Sequence, residues 1–337
     1  MRSLRIAAFA ALATLSLGPA RADEPPALRI GWVVVPSDLA PVMLAKPGLA
    51  PHAGKSYKPE LTHFTGTSSI VTALAAGELD MAAIAYSTLA IAIENAGLTD
   101  IRVIADSFMD GVDGYHTNDF MVKNDSGIKT IEGLKGKVLA SNEAGSAIDM
   151  AMRAALAKHN LRDKRDVTFV EVPFPQMKAE LKEGKVDLIA AASPFDYDPE
   201  LHSFARTLFT QKDGMGETEM IMRVVRGAYI KEHRAALVDF MADYLSTLHH
   251  VYDPQHRAEG VAIVADMTKR PTDFYKWLFT KDDYYRNPNA LPNLDVLQAN
   301  IKTQRELGFI KSDIDVKKYA DLSIAKDAAK ELGAGTH

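Results

Sequence analysis

The stretch from Phe64 to Ile93 constrains the fold more than any other part of the chain. It contains a hydroxyl-rich turn, a segment with apolar residues at helical spacing, a glycine, a short apolar run and a second hydroxyl-rich turn. This order predicts a helix that ends at Gly77 and a strand over Met81–Ala85 that is buried on both faces. A second helix follows that strand. Two helix N-termini at the same end of neighbouring strands predict a site for a small polar or anionic ligand.

The same unit recurs from Pro173 to Phe195. Aligning Gly77 with Gly184 also places Asp80 on Asp187. The order helix, Gly-x-x-Asp, strand is also common before parallel strands in general. Two unrelated segments could therefore share it. The matching turns on both sides favour a true repeat. A repeat of this kind predicts two similar lobes that face each other with a ligand between them.

Strand-like and helix-like segments alternate along the chain, which is typical of an α/β protein, and the length is sufficient for two domains. From His233 onward the pattern is largely helical. The segment Asp273–Tyr285 has aromatic residues at helical spacing, which favours a helix packed on the first lobe.

The first residues have the composition of a secretory signal peptide, with Arg2 and Arg5, an apolar run from Ile6 to Leu17, and Ala20-Arg21-Ala22. We expect cleavage after Ala22 and a periplasmic location, because the apolar run is too short to span a bilayer. Cleavage would change the formal net charge from −5 to −8, since the removed segment carries three Arg and no acidic residue. That acidic balance disfavours nucleic acid and anionic membranes as partners.

Three segments, together with the N-terminal signal, resemble the periplasmic substrate-binding proteins of ABC importers. They read LRIGW, FTGTSSIVTALAAGELDMA and IKTIEGLKGKVLASNEAGSA. The similarity is greatest to the nitrate/sulfonate/taurine group, which is also related to pyrimidine-precursor binders, and it covers essentially the whole mature chain. The TIEGLKGK lead-in to a strand and the GELD strand entry are specific in combination, and each alone is weak.

The resemblance implies a type II periplasmic binding fold, in which each of two lobes is a mostly parallel sheet flanked by helices and two hinge strands cross between them. Residues 1–22 would then be the signal peptide, 23–118 and 222–337 lobe 1, and 119–221 lobe 2 with the hinge strands. Such a protein is a monomer that captures a small molecule in the cleft, closes by hinge motion and presents itself to a membrane permease. It performs no chemistry, and we expect no catalytic residue, cofactor or metal.

The family's ligand contacts map onto turns already described. The residues so implied are Trp32, Pro36, Ser37, Thr65, Gly66, Thr67, Ser68, Tyr86 and Ser87 in the first lobe, and Asn142, Glu143, Gly145, Ser146, Phe174, Ser193, Pro194 and Phe195 in the second. Hydroxyls and backbone N–H groups would bind the head group of the ligand, and Trp32, Tyr86, Phe174 and Phe195 would enclose an apolar or aromatic body. Helix capping is the competing explanation for each single Ser or Thr.

These features predict a small organic anion or zwitterion as the ligand, a sulfonate or a carboxylate with an apolar or aromatic body. The charges of the turns complicate this prediction. None of the turns contains Arg or Lys, whereas Asp38 and Glu143 are acidic. Either neutral donors hold a weakly charged head, or the carboxylates meet a cationic group of the ligand. Lys46, His116 or Arg206 could also reach the cleft from elsewhere.

Two other classes of function remain open at this stage. A ligand sensor that presents its closed state to a membrane receptor would have the same sequence features. An enzyme on the same fold, such as a periplasmic dehydratase, could use Glu143 with His116. A pyrimidine synthase of this fold would be expected to contain a Cys-rich segment. The chain contains no Cys, which disfavours that function. The adjacent His249 and His250 point in different directions on a helix, and we therefore expect no metal site there.

Overall fold

Residues 24–334 are described by a computed structural model. The expected signal peptide and its cleavage site lie outside these described residues. Helices occupy Ala40–Leu44, Thr67–Ala75, Tyr86–Glu94, Ala147–Lys158, Phe174–Lys182, Pro199–Phe204, Gln211–Met215, Gly227–Tyr252, Arg257–Thr268, Leu294–Glu306 and Ser323–Ala334, numbered α1 to α11. Within the described part of the chain, no helix is long and apolar enough to cross a bilayer.

Ten strands form two five-stranded sheets within residues 24–334. The first sheet has the order β2-β1-β3-β10-β4, and its strands are β1 (Ala27–Trp32), β2 (Lys58–His63), β3 (Met81–Ala85), β4 (Ile101–Asp110) and β10 (Thr218–Arg226). The second has the order β7-β6-β8-β5-β9, with β5 (Asn118–Lys123), β6 (Val138–Ser141), β7 (Thr168–Glu171), β8 (Leu188–Ala192) and β9 (Ala205–Thr210). In each sheet four strands run in the same direction, and one, β10 or β5, is antiparallel to both its neighbours. The predicted α/β fold with two sheet-based lobes is confirmed.

The sequence repeat corresponds to a repeated set of hydrogen bonds. Gly77 and Gly184 both have positive φ, at 73° and 72°, where glycine ends a helix without strain. Asp80 then accepts the backbone N–H of Arg29 at 3.0 Å, and Asp187 accepts that of Val138 at 2.9 Å. Each Asp therefore ties the start of its buried strand to the start of the neighbouring parallel strand. Termination of the helix by Gly and anchoring of the strand by Asp explain why both copies contain Gly-x-x-Asp.

The chain passes between the sheets twice, first after β4 and again before β10. The two passages touch where Gly111 and Gly216 meet. A Cβ on Gly111 would lie 3.1 Å from the Gly216 carbonyl oxygen, and both residues have positive φ. The residue bounds expected for the two lobes stay a prediction.

The helix expected over Asp273–Tyr285 is a wrong prediction. The segment forms a 3₁₀ turn over Thr272–Tyr275 and then a series of turns. Phe279 has a φ of 55°, a left-handed conformation that no helix accommodates, and the Asp283 carboxylate accepts the Phe279 N–H at 2.9 Å. Aromatic spacing suggested a helical face, but these rings pack in several directions.

Arg223 on β10 and Asp38 after β1 form an ion pair buried beside the first sheet. Their Nη2 and Oδ1 atoms are 2.6 Å apart, and neither side chain is more than 3% exposed. The guanidinium also lies 4.9 Å from the centre of the Tyr244 ring. Asp38 accepts the backbone N–H of Ala40 as well, which fixes the start of α1.

A second buried pair consists of two acids, Asp106 on β4 and Glu219 on β10, which lie close enough for the charge of Asp106 to raise the pKa of Glu219. Asp106 also accepts the backbone N–H of Asn287, and Glu219 that of Asn293. Burial raises the pKa of Asp106 to about 6. Burial and the neighbouring Asp106 charge raise the pKa of Glu219. The two acids therefore retain protons at pH values where isolated carboxyls would be ionised.

Removing one partner of the buried ion pair should be far more harmful than replacing both. We expect Asp38→Ala to lower the free energy of unfolding by about 3–5 kcal/mol, because it leaves Arg223 charged and unpaired in the core. The double variant Asp38→Leu with Arg223→Met should be closer to wild type. Urea unfolding measures both, with the exposed Asp273→Ala as the control. A loss in Asp38→Ala no greater than in the control would contradict this reading.

The acid pair predicts a pH dependence of stability. A carboxyl whose pKa is raised in the folded state binds more protons folded than unfolded, so stability should fall as the pH rises from about 4 through about 6. Glu219→Gln mimics the protonated acid and should reduce that fall by on the order of 1 kcal/mol. Unfolding free energies between pH 4 and pH 8 provide the measurement, with the exposed Glu78→Gln as control. Parallel profiles for wild type and Glu219→Gln would refute a raised pKa for these buried acids.

Candidate functional site

A narrow inner chamber lies between the two sheets, beyond the carboxyl ends of β1, β3, β6 and β8. Its volume is about 80 Å³, which is smaller than the ~150 Å³ cavity that holds a benzene ring. The chamber is lined by Val33, Val34, Ser37, Gly66, Thr67, Ala85, Phe108, Thr117, Asn118, Asn142, Ser146, Ala147, Ile148, Phe174, Ala192, Ser193, Met220, Ile221 and Tyr284. These residues come from both sheets, and the wall is mostly apolar with a few hydroxyl and amide groups.

A larger outer chamber adjoins the inner one and shares Val33, Val34 and Phe174 with it. Its volume is about 290 Å³. Aromatic rings dominate its wall, with the Trp32 ring 4.6 Å from that of His63 and the Phe174 ring stacked on Phe195 at 5.8 Å. The other lining residues are Val35, Phe64, Thr65, Pro173, Pro175, Met267 and Thr268. This chamber has the size and chemistry to enclose a flat apolar group.

A short loop after β6 reaches across the cleft to the N-terminus of α2. The Glu143 carboxylate accepts the backbone N–H groups of Ser68 at 2.8 Å and Ser69 at 3.1 Å, and the Ser69 hydroxyl at 2.7 Å. The Ser68 hydroxyl donates to the Ala144 carbonyl at 2.8 Å. These bonds join the two lobes directly.

The next residues of the same loop contact the N-terminus of α3. The Ser87 hydroxyl donates to the Gly145 carbonyl at 2.9 Å, and the Tyr86 hydroxyl donates to the Ala147 carbonyl at 3.2 Å. Tyr86 is fully buried. It therefore belongs to the contact between the lobes and lines neither chamber.

The opposite mouth of the cleft is bridged by the segment that follows α9. Tyr284, which lines the inner chamber, donates its hydroxyl to the Ser193 carbonyl at 2.8 Å. The Tyr197 ring stacks on Trp277 with centres 4.0 Å apart, and its hydroxyl donates to the Asp282 carbonyl at 2.7 Å. Polar and aromatic contacts therefore tie the lobes together on both sides of the chambers.

The hydroxyl groups that line the inner chamber differ in whether they are available to hydrogen-bond to a ligand. Ser146 caps α4, and Ser193 donates to Asp196 at 2.7 Å, so local structure explains both. The Thr67 hydroxyl is buried and has no hydrogen-bond partner within the described residues. An unpaired buried hydroxyl costs free energy unless a ligand or water bonds to it. Thr67 is therefore the strongest candidate for a direct polar contact.

The charges that complicated the sequence prediction are engaged elsewhere. Asp38 pairs with Arg223, and Glu143 is bonded to α2, so neither carboxylate is left for a cationic group. Across the described part of the chain, neither chamber is lined by Lys or Arg. The three basic residues considered above have other partners, with Lys46 paired to Glu259, His116 beside Asp119, and Arg206 bonded to the Ile128 carbonyl.

The residues predicted for the site divide into three groups. The inner chamber contains Ser37, Gly66, Thr67, Asn142, Ser146, Phe174 and Ser193. The outer chamber contains Trp32, Thr65, Phe174 and Phe195. Pro36, Ser68, Tyr86, Ser87, Glu143, Gly145 and Pro194 line neither chamber. Five of this last group, from both lobes, form the contact between loop and helices described above.

Some lining residues were missed. Thr117 and Asn118 lie where the chain crosses to the second sheet, and Met220 and Ile221 lie at the second crossing. Hinge segments next to a cleft could have suggested them. Tyr284 had no such indication, because only the tertiary fold brings it to the chamber.

A group of possible metal ligands lies outside the cleft, at the junction of α8 and α9. Donor atoms of His250, His256 and Glu259 lie within 4.8 Å of one another. Sequence spacing did not reveal this group, because a turn between the helices brings His256 back to His250. The Lys46 ammonium pairs with Glu259 here, and His250 is 3.2 Å from the same carboxylate.

Comparison with known proteins shows which sequences and folds this chain resembles. The sequence profile of the NMT1-like family matches residues 21–265. A search of curated protein sequences found no match.

Similar solved structures include two binding proteins. One is the alkanesulfonate-binding protein SsuA from Xanthomonas axonopodis pv. citri, bound to MOPS, with a TM-score of 0.70 and 18% identity over 88% of this chain and 99% of that one. The other is the periplasmic nitrate-binding protein NrtA from Synechocystis PCC 6803, with a TM-score of 0.72 and 16% identity over 92% and 89%. The fold is therefore that of the two-lobed periplasmic binding proteins.

An enzyme shares the same fold at lower similarity. The desulfurization enzyme DSZB has a TM-score of 0.61 and 12% identity over 91% of this chain and 99% of that one. At such identities the likeness establishes the fold and leaves the activity to the residues of the cleft. This chain has no Cys, so its cleft has no thiol nucleophile.

Proposed function

The chain belongs to the NMT1-like family, and on that premise we propose that it is the periplasmic solute-binding component of an ABC importer. It would capture a small organic solute between its lobes and deliver it to the membrane permease. The observation that carries this proposal is the pair of adjoining chambers at the lobe interface, built by residues of both sheets. A site of this kind binds by enclosure and needs no reactive group.

The chambers support a solute of two parts. An inner chamber of about 80 Å³ suits a head group of a few atoms, bonded by Thr67 and Asn142. An outer chamber of about 290 Å³ suits a flat apolar or aromatic body between Trp32 and Phe195. The sulfonate, carboxylate or zwitterion expected from the sequence fits this shape. The charge of the head group is a separate matter, because the described lining contains no Lys or Arg and its His63 lies in the outer chamber.

Capture requires the lobes to separate. Contacts through Glu143 on one side and Tyr284 on the other enclose the chambers, so a solute would enter only when these contacts break. We propose that the two chain crossings near Asn118–Met121 and Glu217–Ile221 act as the hinges. Closure over the solute would then present a joint surface of the two lobes to the permease. The protein would act as a monomer whose mature chain begins at Asp23.

Two rival functions have different experimental signatures. A sensor would bind the same solute and differ in its partner, a membrane receptor in place of a permease. An enzyme would convert the solute on incubation. The dehydratase pair considered above has little support, since Glu143 is bonded to Ser68 and Ser69 whereas His116 lies beside Asp119.

A thermal-shift screen of the mature protein should reveal one clear class of stabilising solute. The protein is first unfolded and refolded to remove any bound molecule. The panel contains nitrate, alkyl and aromatic sulfonates, taurine, benzoates, phthalates, pyrimidines and uncharged aromatic amides and alcohols. A solute at 100 times its dissociation constant adds about 2.7 kcal/mol, a shift of a few degrees. No response to any class would count against solute capture, and appearance of a product would favour an enzyme.

The outer chamber should determine affinity for the body of the solute. We expect Trp32→Ala and Phe195→Ala each to weaken binding about tenfold or more, because each removes a large aromatic contact. Phe204→Ala is the matched control, since Phe204 lies on the same lobe as Phe195 and lines neither chamber. Calorimetric titration with the strongest stabiliser gives the comparison. Unchanged affinity in both cleft variants would show that the site is elsewhere.

A further inference from the structure

The N-terminus of α2 has no capping group of its own. The residue before the helix is Gly66, and the first turn contains Thr67, Ser68 and Ser69 with no acidic residue. Free N–H groups at a helix N-terminus attract an anion, and the helix dipole adds to the attraction. In this chain the anion is the Glu143 carboxylate, supplied by the opposite lobe at 2.8 Å and 3.1 Å.

Gly66 is shaped to receive that carboxylate. A Cβ at position 66 would lie 2.1 Å from Oε2 of Glu143 and 2.8 Å from its carboxyl carbon. The backbone at Gly66 is extended, with a φ of −168°, so glycine is not required there by conformation. The close approach of Glu143 accounts for the absence of a side chain. The contact between Glu143 and α2 therefore requires a residue without a side chain at position 66.

The other helix N-termini at the cleft are also occupied by groups of the chain. At α4, Asp149 accepts the Gly145 N–H at 2.9 Å. At α3, the Thr88 hydroxyl accepts the Ala85 N–H at 3.1 Å. A further carboxylate, Glu171, accepts the Ala144 N–H at 2.9 Å beside Glu143. Asp149 is itself paired with Arg153 at 2.9 Å, whereas Glu143 and Glu171 have no ion-pair partner within the described residues.

We propose that Glu143 determines the charge specificity of the cleft by occupying the anion site of α2, so that the protein binds a solute with an uncharged head group and excludes sulfonates, carboxylates and nitrate. This inference rests on the proposed solute-binding function. An anionic head could bind α2 only by displacing Glu143 into a cleft that has no Lys or Arg in its described lining. Coulomb repulsion from the displaced carboxylate would then oppose it.

Anion binding by variants of Glu143 tests the proposal without knowledge of the natural solute. Methanesulfonate and nitrate are the probes, titrated calorimetrically into wild type, Glu143→Ala, Glu143→Gln and the control Glu183→Gln. Glu183 is an exposed acid of the same lobe, outside both chambers. We expect Glu143→Ala to bind methanesulfonate about tenfold or more tightly than wild type and the control, since charge-assisted bonds to freed N–H groups are strong. Glu143→Gln should lie between them.

Two results would overturn the proposal. One is anion binding by wild type as tight as by Glu143→Ala, and the other is no gain in either variant when both are folded. If the variants fail to fold, amide NMR signals of Ser68 and Ser69 in the wild-type protein decide the matter. They should not move when nitrate is added, and saturable movement would refute the proposal. Failure of the proposed function is a different result, in which no solute of any charge binds the wild-type protein.

Discussion

Enclosure of the cleft on one side depends on a short loop after β6, residues 142–146, which meets the N-termini of two helices of the opposite lobe. Those N-termini exist because hydroxyl-rich sequence follows both β2 and β3, and a parallel strand order brings them to one edge of the sheet. Glu143 then satisfies N–H groups that would otherwise need a ligand or water. The Glu143 side chain thus both closes the cleft and fills the anion site at the N-terminus of α2. Closure and charge selection are physically linked in this protein.

Local requirements of the backbone made much of the fold predictable. Gly77 and Gly184 occupy positive-φ positions, and Asp80 and Asp187 bond to the neighbouring strand, so the repeat carried real structural information. The site was less predictable. Turn chemistry identified Thr67 and Ser146, yet it could not separate a hydroxyl that caps a helix from one that is free. Tyr284 was missed because a long segment without regular periodicity brings it to the chamber.

Charge was the property least accessible from sequence. Asp38 looked like a cleft carboxylate, but it is neutralised by Arg223, which lies 185 positions away in the chain. Glu143 looked like a ligand contact, and it is held by the other lobe. Both are long-range pairings that no local pattern encodes. Once they are known, the cleft is a mostly apolar enclosure without Lys or Arg in its described lining. At 16–18% identity, the resemblance to sulfonate- and nitrate-binding proteins concerns the fold.

A crystal structure of the mature protein grown with its strongest stabilising solute would test the account most directly. The account predicts the head of the solute in the inner chamber beside Thr67 and its body in the outer chamber between Trp32 and Phe195, with Glu143 still bonded to α2. A solute bound away from both chambers would contradict capture between the lobes. A head group seated on Ser68 and Ser69 with Glu143 displaced would contradict the assigned role of that carboxylate.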